Sequence, residues 1–116
     1  MRCRDVFVLE DEALIAMEIE TMLRSAGYRV IGPATSIDEA MPMCEALTGG
    51  CALLDVNLDG SAVTPVARVL AERGIPFALV TGYDVASVPE QFRDRIIIRK
   101  PFTDSDLFTA LNKLAA

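Results

Sequence analysis

The 116-residue chain contains no histidine at all. That absence excludes Ser/His/Asp and Cys/His hydrolases, His-ligated zinc and any imidazole acid or base. Lysine is nearly absent too, with two residues, Lys100 and Lys113, against nine arginines. The three cysteines, Cys3, Cys44 and Cys51, are odd in number and form no CxxC pair, so neither a disulfide framework nor a zinc knuckle is expected, and the expected compartment is reducing. Long apolar runs are also missing. Val6 to Leu9 is four residues long and is followed at once by Glu10, Asp11 and Glu12, which fits neither a signal peptide nor a membrane span. A surplus of positive charge is lacking as well: the net charge of −6 argues against nucleic acid or an anionic membrane as direct partner. The expectation is a soluble, cytoplasmic protein whose chemistry rests on carboxylates, hydroxyls, a lysine, or a group supplied by a partner.

What is present suffices for one ordinary core, since hydrophobic residues make up 52% of the chain and charged residues 24%. The length predicts a single domain over residues 1–116. Apolar residues alternate between short β-rich runs and helical spacing, the pattern of an α/β fold with a parallel sheet. Strands are predicted at Val6 to Leu9, Arg29 to Ile31 (stopped by Gly32-Pro33), Cys51 to Leu54, Pro76 to Val80 and Arg95 to Ile98. Helices follow them. Ile15, Ile19, Met22, Leu23 and Ala26 share one face before Gly27. Ser36 and Glu39 form a capping box, although Pro42 should kink or fray that helix. Val66, Val69 and Leu70 lie on one side of a helix closed by Gly74. Asp84 to Asp94 holds only a weak helical pattern broken by Pro89, so a short or mobile helix is expected there. Thr103 and Asp106 cap a last helix striped with Leu107, Ala110, Leu111 and Leu114.

In an open α/β sheet, ligands bind beyond the carboxyl ends of the strands. Those ends carry Glu10 and Asp11, Asp55, Thr81 and Lys100. Crowded carboxylates repel one another unless a divalent cation holds them, and Mg²⁺ favours oxygen ligands. Each residue has a plainer reading. Glu10 and Asp11 could serve the positive end of the first helix, Asp55 could be a turn former, and a lone lysine is usually a surface charge. The conjunction decides, because four strand ends would otherwise converge on complementary chemistry by accident. Asp55-Val56-Asn57-Leu58-Asp59-Gly60 opens like an EF-hand loop, but its twelfth position is Val66 where a bidentate Glu is required. Walker and GxGxxG motifs are absent.

Val8-Leu9-Glu10-Asp11-Glu12, Leu54 through Gly60, Val80-Thr81-Gly82 and Lys100-Pro101-Phe102 together resemble the four signature segments of bacterial response-regulator receiver domains. The resemblance implies a (βα)5 flavodoxin-like, doubly wound parallel sheet of strand order 2-1-3-4-5 with five helices. It implies Asp55 as phosphoacceptor for a histidine kinase phosphohistidine. Mg²⁺, with Mn²⁺ as a substitute, would be held by Glu10, Asp11, Asp55 and the Asn57 backbone carbonyl. Thr81 and Lys100 would each bind a phosphoryl oxygen. The aspartyl phosphate would later hydrolyse at the same centre.

Position 10 is Glu where the family usually has Asp, which lengthens one metal-side arm. Ile97 stands where a switch aromatic is usual. Pro76-Phe77 and Thr81-Gly82-Tyr83 partly resemble a PFxFATGY subset partnered with HWE-type histidine kinases, with Leu79 and Val80 departing from it. Thr81, Tyr83 and Ile97 are therefore the switch candidates, and Tyr83 with Asp84 to Asp94 is expected to carry the response. The chain stops after one helix beyond Lys100, so a protein partner is expected as output. Two rival readings are a phosphorylation-independent pseudo-receiver acting as a binding module, and a small phosphatase, which lacks the DxDx[T/V] start.

Overall fold

The computed structural model describes residues 4–56, 63–82 and 88–115. In chain order the elements are β1 (Asp5–Leu9), α1 (Ala13–Ser25), β2 (Arg29–Ala34), α2 (Ile37–Glu45), β3 (Cys51–Asp55), α3 (Thr64–Glu72), β4 (Phe77–Thr81), a 3₁₀ turn (Glu90–Phe92), β5 (Ile96–Arg99) and α4 (Asp104–Ala115). The five strands form one sheet in the order β2-β1-β3-β4-β5. Every neighbouring pair is parallel. This is the predicted flavodoxin-like topology.

The unbroken apolar runs of β1, β3 and β4 follow from burial on both faces. Phe7, Leu9, Ala52, Leu54, Phe77 and Leu79 point to one side, where they meet Ala40 and Cys44 of α2 and Val66, Ala67 and Leu70 of α3. Val6, Val8, Cys51, Leu53, Ala78 and Val80 point to the other, against Ile19 and Leu23 of α1 and Leu107, Ala110 and Leu111 of α4. Strand alternation thus splits the core into two layers, with two of the described helices on each.

Helix ends obey local chemistry. The Glu39 N–H donates to the Ser36 hydroxyl at 3.1 Å and the Glu39 carboxylate accepts from the Thr35 N–H at 3.0 Å. Ahead of α4 the exchange is reciprocal: the Thr103 N–H donates to the Asp106 carboxylate at 2.9 Å and the Asp106 N–H to the Thr103 hydroxyl at 3.1 Å. Each such cap is worth about 1 kcal/mol. Gly27 and Gly74, past the ends of α1 and α3, take φ of 90° and 71°, conformations that glycine adopts without steric cost.

Several details refine or depart from the sequence expectation. β2 continues through Gly32-Pro33 to Ala34, with a register shift opposite Phe7 and Leu9. It is an edge strand, so the N–H that proline lacks is not needed by a second neighbour. Pro42 lies inside α2, which nevertheless runs on to Glu45. Four α-helices occur among the described residues; between β4 and β5 these residues hold only the 3₁₀ turn, anchored by buried Val88 and Phe92. Cys44 is free and buried, whereas Cys51 is disulfide-bonded, a departure from the expectation that the odd cysteine count writes no disulfide framework. Cys3 lies outside the described residues.

Candidate functional site

The carboxyl ends of the strands are tied together by single backbone bonds one residue beyond the sheet. The Glu10 N–H donates to the Ala34 carbonyl at 3.0 Å, Val56 to Val80 at 3.0 Å, and Lys100 to Thr81 at 2.8 Å. These bonds continue the parallel ladder into the loops and so fix where the side chains of Glu10, Asp55, Thr81 and Lys100 begin.

Glu10, Asp55 and Thr81 are almost fully buried, the polar exceptions in an apolar interior. One ligand oxygen from each of Glu10, Asp11 and Asp55 falls within 4.8 Å of the others. Lys100 Nζ enters the same space, 3.0 Å from Glu10 Oε1 and 3.4 Å from Asp55 Oδ2. The shorter contact is ionic without hydrogen-bond alignment; the longer one is aligned. The other Glu10 oxygen, Oε2, accepts the Glu12 N–H at 3.1 Å, where Glu12 caps α1 without help from its own side chain.

Three carboxylates around one ammonium leave the cluster short of positive charge. Glu10 is pushed up from 4.5 to about 7, first by burial and then by Asp55. Burial also raises Asp11, again with Asp55 adding to it. For Lys100, burial alone would lower the pKa, but Glu10 and Asp55 outweigh it and hold the ammonium above its ordinary 10.5. Asp55 contributes to all three shifts, beside burial. A single buried cation cannot neutralise three carboxylates.

Asp11 Oδ1 is buried and accepts no hydrogen bond. An orphaned oxygen of this kind is costly unless a ligand completes it. Three hard oxygen donors with a deficit of positive charge fit a divalent, oxygen-preferring cation. Among the described residues this is the group of acidic side chains able to hold a metal.

The sequence-predicted Glu10, Asp11, Asp55, Thr81 and Lys100 are thus brought to one rim. Ile97 lies in β5, half-buried and packed on the α2/α3 side of the core. Asn57, Tyr83, the 57–62 part of the EF-hand-like loop and residues 83–87 lie outside the described residues. The Glu10–Lys100 ion pair was not legible in the sequence. These residues follow β1 and β5, which are not adjacent in the sheet, and only the unusual Glu at position 10 hinted at a longer reach.

Comparison with known proteins agrees with this arrangement. The family model described as "Response regulator receiver domain" matches residues 6–112. The chain is 32% identical over 114 residues to the transcriptional regulatory protein PdtaR of Mycobacterium tuberculosis, covering 93% of this chain and 55% of that protein. It therefore spans about half the length of that curated relative. Among solved structures, SdrG from Sphingomonas melonis Fr1 is 39% identical with a TM-score of 0.86, over 97% of this chain and 96% of that one. The BeF3-activated conformation of SdrG, from Pseudomonas melonis Fr1, is 37% identical with a TM-score of 0.83, over 99% and 98%.

Proposed function

The chain belongs to the response regulator receiver domain family of two-component signalling, and from that premise we propose that Asp55 accepts a phosphoryl group from a histidine kinase phosphohistidine in a Mg²⁺-dependent reaction. The observation that carries the proposal is the convergence of Asp11, Asp55 and Lys100 at one rim, with the ammonium 3.4 Å from the Asp55 carboxylate.

Phosphoryl transfer needs little covalent work from a protein beyond a positioned nucleophile and charge stabilisation. A carboxylate oxygen of Asp55 forms a bond to phosphorus as the bond from phosphorus to the kinase imidazole nitrogen breaks; the electron pair leaves with the imidazole, and an acyl phosphate remains on Asp55. Lys100 pairs with a phosphoryl oxygen, and the Thr81 hydroxyl hydrogen-bonds another. Glu10, Asp11, Asp55 and the Asn57 carbonyl are the groups available to Mg²⁺, or to Mn²⁺ in its place; the ion would neutralise charge on the transferring group. Water attack at phosphorus later restores the carboxylate and releases inorganic phosphate, so the signal decays at the site where it was made.

Receiver domains commonly interact with histidine kinases; a kinase of the HWE type, a cytoplasmic location and output through a protein partner are further parts of this proposal. No described helix is long and apolar enough to cross a membrane. The phosphorylation-independent reading is not favoured, because the phosphoacceptor, cation and hydroxyl positions are all retained.

Intact mass after incubation with Mg²⁺ and phosphoramidate tests the proposal. The parent should gain one phosphate, and Asp55→Asn none. A parent that takes up no phosphate from phosphoramidate, acetyl phosphate or a phosphorylated kinase would overturn it.

A further inference from the structure

The end of the sheet opposite the acidic rim carries a feature that the phosphoacceptor reading does not use. Cys51 opens β3, where it is buried and disulfide-bonded. The chain has three cysteines, and Cys44 is free. Cys44 lies in the α2/α3 layer of the core, whereas Cys51 packs with Val6 and Val8 in the α1/α4 layer, so the sheet stands between them. The remaining cysteine is Cys3, shortly ahead of Val6, and Val6 is the β1 partner of Cys51.

The described chain beside each of these cysteines leads to the same end of the sheet. Arg4, the neighbour of Cys3, accepts the Arg29 N–H on its carbonyl at 2.8 Å, which ties the entry to β1 against β2. Gly50, the neighbour of Cys51, lies so close to β1 that a Cβ on it would collide with the Asp5 carbonyl oxygen. Its φ of 85° is also a conformation that glycine adopts without steric cost. The glycine therefore lets the start of β3 press against the chain that enters β1.

We propose that Cys3 and Cys51 form a reversible thiol–disulfide pair, a redox modification site that staples the entry of the chain to the central strand. The oxidant is a low-molecular-weight disulfide of the glutathione type. The thiolate of one cysteine attacks a sulfur of that reagent, and one reagent thiol leaves. The sulfur of the other cysteine then attacks the protein sulfur of the mixed disulfide, and a second reagent thiol leaves. The two protein thiols give up two electrons and two protons, which depart on the two reagent thiols. In a reducing compartment the pair stands open, and it closes when the thiol pool is oxidised. The bond encloses β1, α1, β2 and α2 in one loop. Closing so long a loop restricts the unfolded chain, so the oxidised form is the more stable one. Asp55 is at the other end of β3, which makes this site distinct from the phosphoacceptor.

The parent in two redox states tests the proposal without any variant. After glutathione disulfide, N-ethylmaleimide in denaturant should label one thiol, Cys44, and after dithiothreitol it should label all three, as read by intact mass. Proteolysis after Glu45 separates Cys44 from Cys51 and should leave the Cys3 peptide joined to the Cys51 peptide. The urea midpoint of the oxidised parent should lie above that of the reduced parent, and the difference should vanish in Cys3→Ser. Three labels after oxidation, a glutathione adduct that persists in place of the bond, a linkage through Cys44 or a crosslink between two chains would overturn the proposal. Equal midpoints in the two states of the parent would do so as well.

Discussion

Lys100 donates its backbone N–H to the Thr81 carbonyl at 2.8 Å, one residue beyond the paired β4 and β5. This single bond delivers two functional side chains together: a buried hydroxyl at the end of β4 and an ammonium that reaches back across the sheet to Asp55. The rim is therefore an extension of the parallel ladder. Its side chains start from positions that the ladder fixes, and its electrostatics are set by what the sheet brings together.

Metal binding should depend most on Asp11, whose buried Oδ1 accepts no hydrogen bond and has no ammonium beside it among the ion pairs of the described residues. Asp11→Ala should weaken Mg²⁺ by at least about tenfold, the scale on which ligand-shell changes alter metal affinity. Titration of Mg²⁺ followed by amide chemical shifts measures this directly. Unchanged affinity would show that the ion does not sit at this cluster.

Without metal, the pH dependence of stability has a definite sign. Glu10 titrates at about 7 in the folded protein, against an ordinary 4.5, so between these values the folded state holds a proton that the unfolded state has released. The penalty is absent below about 4.5 and fully developed above about 7. Stability should therefore fall as pH rises through that window, in the direction linkage requires. Urea midpoints at pH 5, 6, 7 and 8 in chelator test this. Glu10→Gln should flatten the slope, and Mg²⁺ should raise the midpoint most at the high-pH end, where the carboxylates are charged. A midpoint that climbs from pH 5 to 8 in chelator would contradict the arrangement.

Much of this was legible in the sequence because period and punctuation agreed. Unbroken apolar runs such as Cys51 to Leu54 require two covered faces, and helical stripes such as Leu107, Ala110 and Leu111 supply the covers. Strand-end acids and Lys100 then fall on one rim by topology alone. What was not legible depended on tertiary setting. Pro33 reads as a strand stop, yet β2 is an edge strand where a missing N–H is tolerated. Pro42 reads as a point where the helix should kink or fray, and α2 runs through it to Glu45, held by its capping box and by Ala40 and Cys44 in the core. The Glu10–Lys100 contact depends on side-chain reach across intervening strands, which no local pattern encodes.

Phe77 joins the sheet to the segment that precedes β5. Its ring meets Phe92 edge-on at a centroid distance of 5.7 Å, and the Arg95 guanidinium lies 4.3 Å from its centroid. Phe77 is fully buried, so Phe77→Ala should destabilise the fold by about 3–5 kcal/mol, through lost burial, a cavity and two ring contacts. Phe77→Leu should cost much less. Chemical denaturation with both variants checks the order; equal losses would mean that the ring contacts around Phe92 and Arg95, and not volume, dominate.

The phosphorylation response should appear between Thr81 and β5. Thr81 is fully buried at the end of β4, so engagement of its hydroxyl by a phosphoryl group must pull on a side chain with no free space. The aromatic usual at position 97 is replaced by Ile97, which is half-buried and packed against the α2/α3 core and has no ring to swing. Beyond Gly82, Val88 and Phe92 are buried in the core, so displacement of that segment is expected to reach it. Beryllofluoride with Mg²⁺ should therefore shift the amides of residues 81–94 more than those of α2 and α3, and Thr81→Ala should abolish the distal part of that shift while leaving beryllofluoride bound at Asp55. Shifts confined to residues next to Asp55, with none from 88 to 94, would mean that the signal leaves the domain by another face.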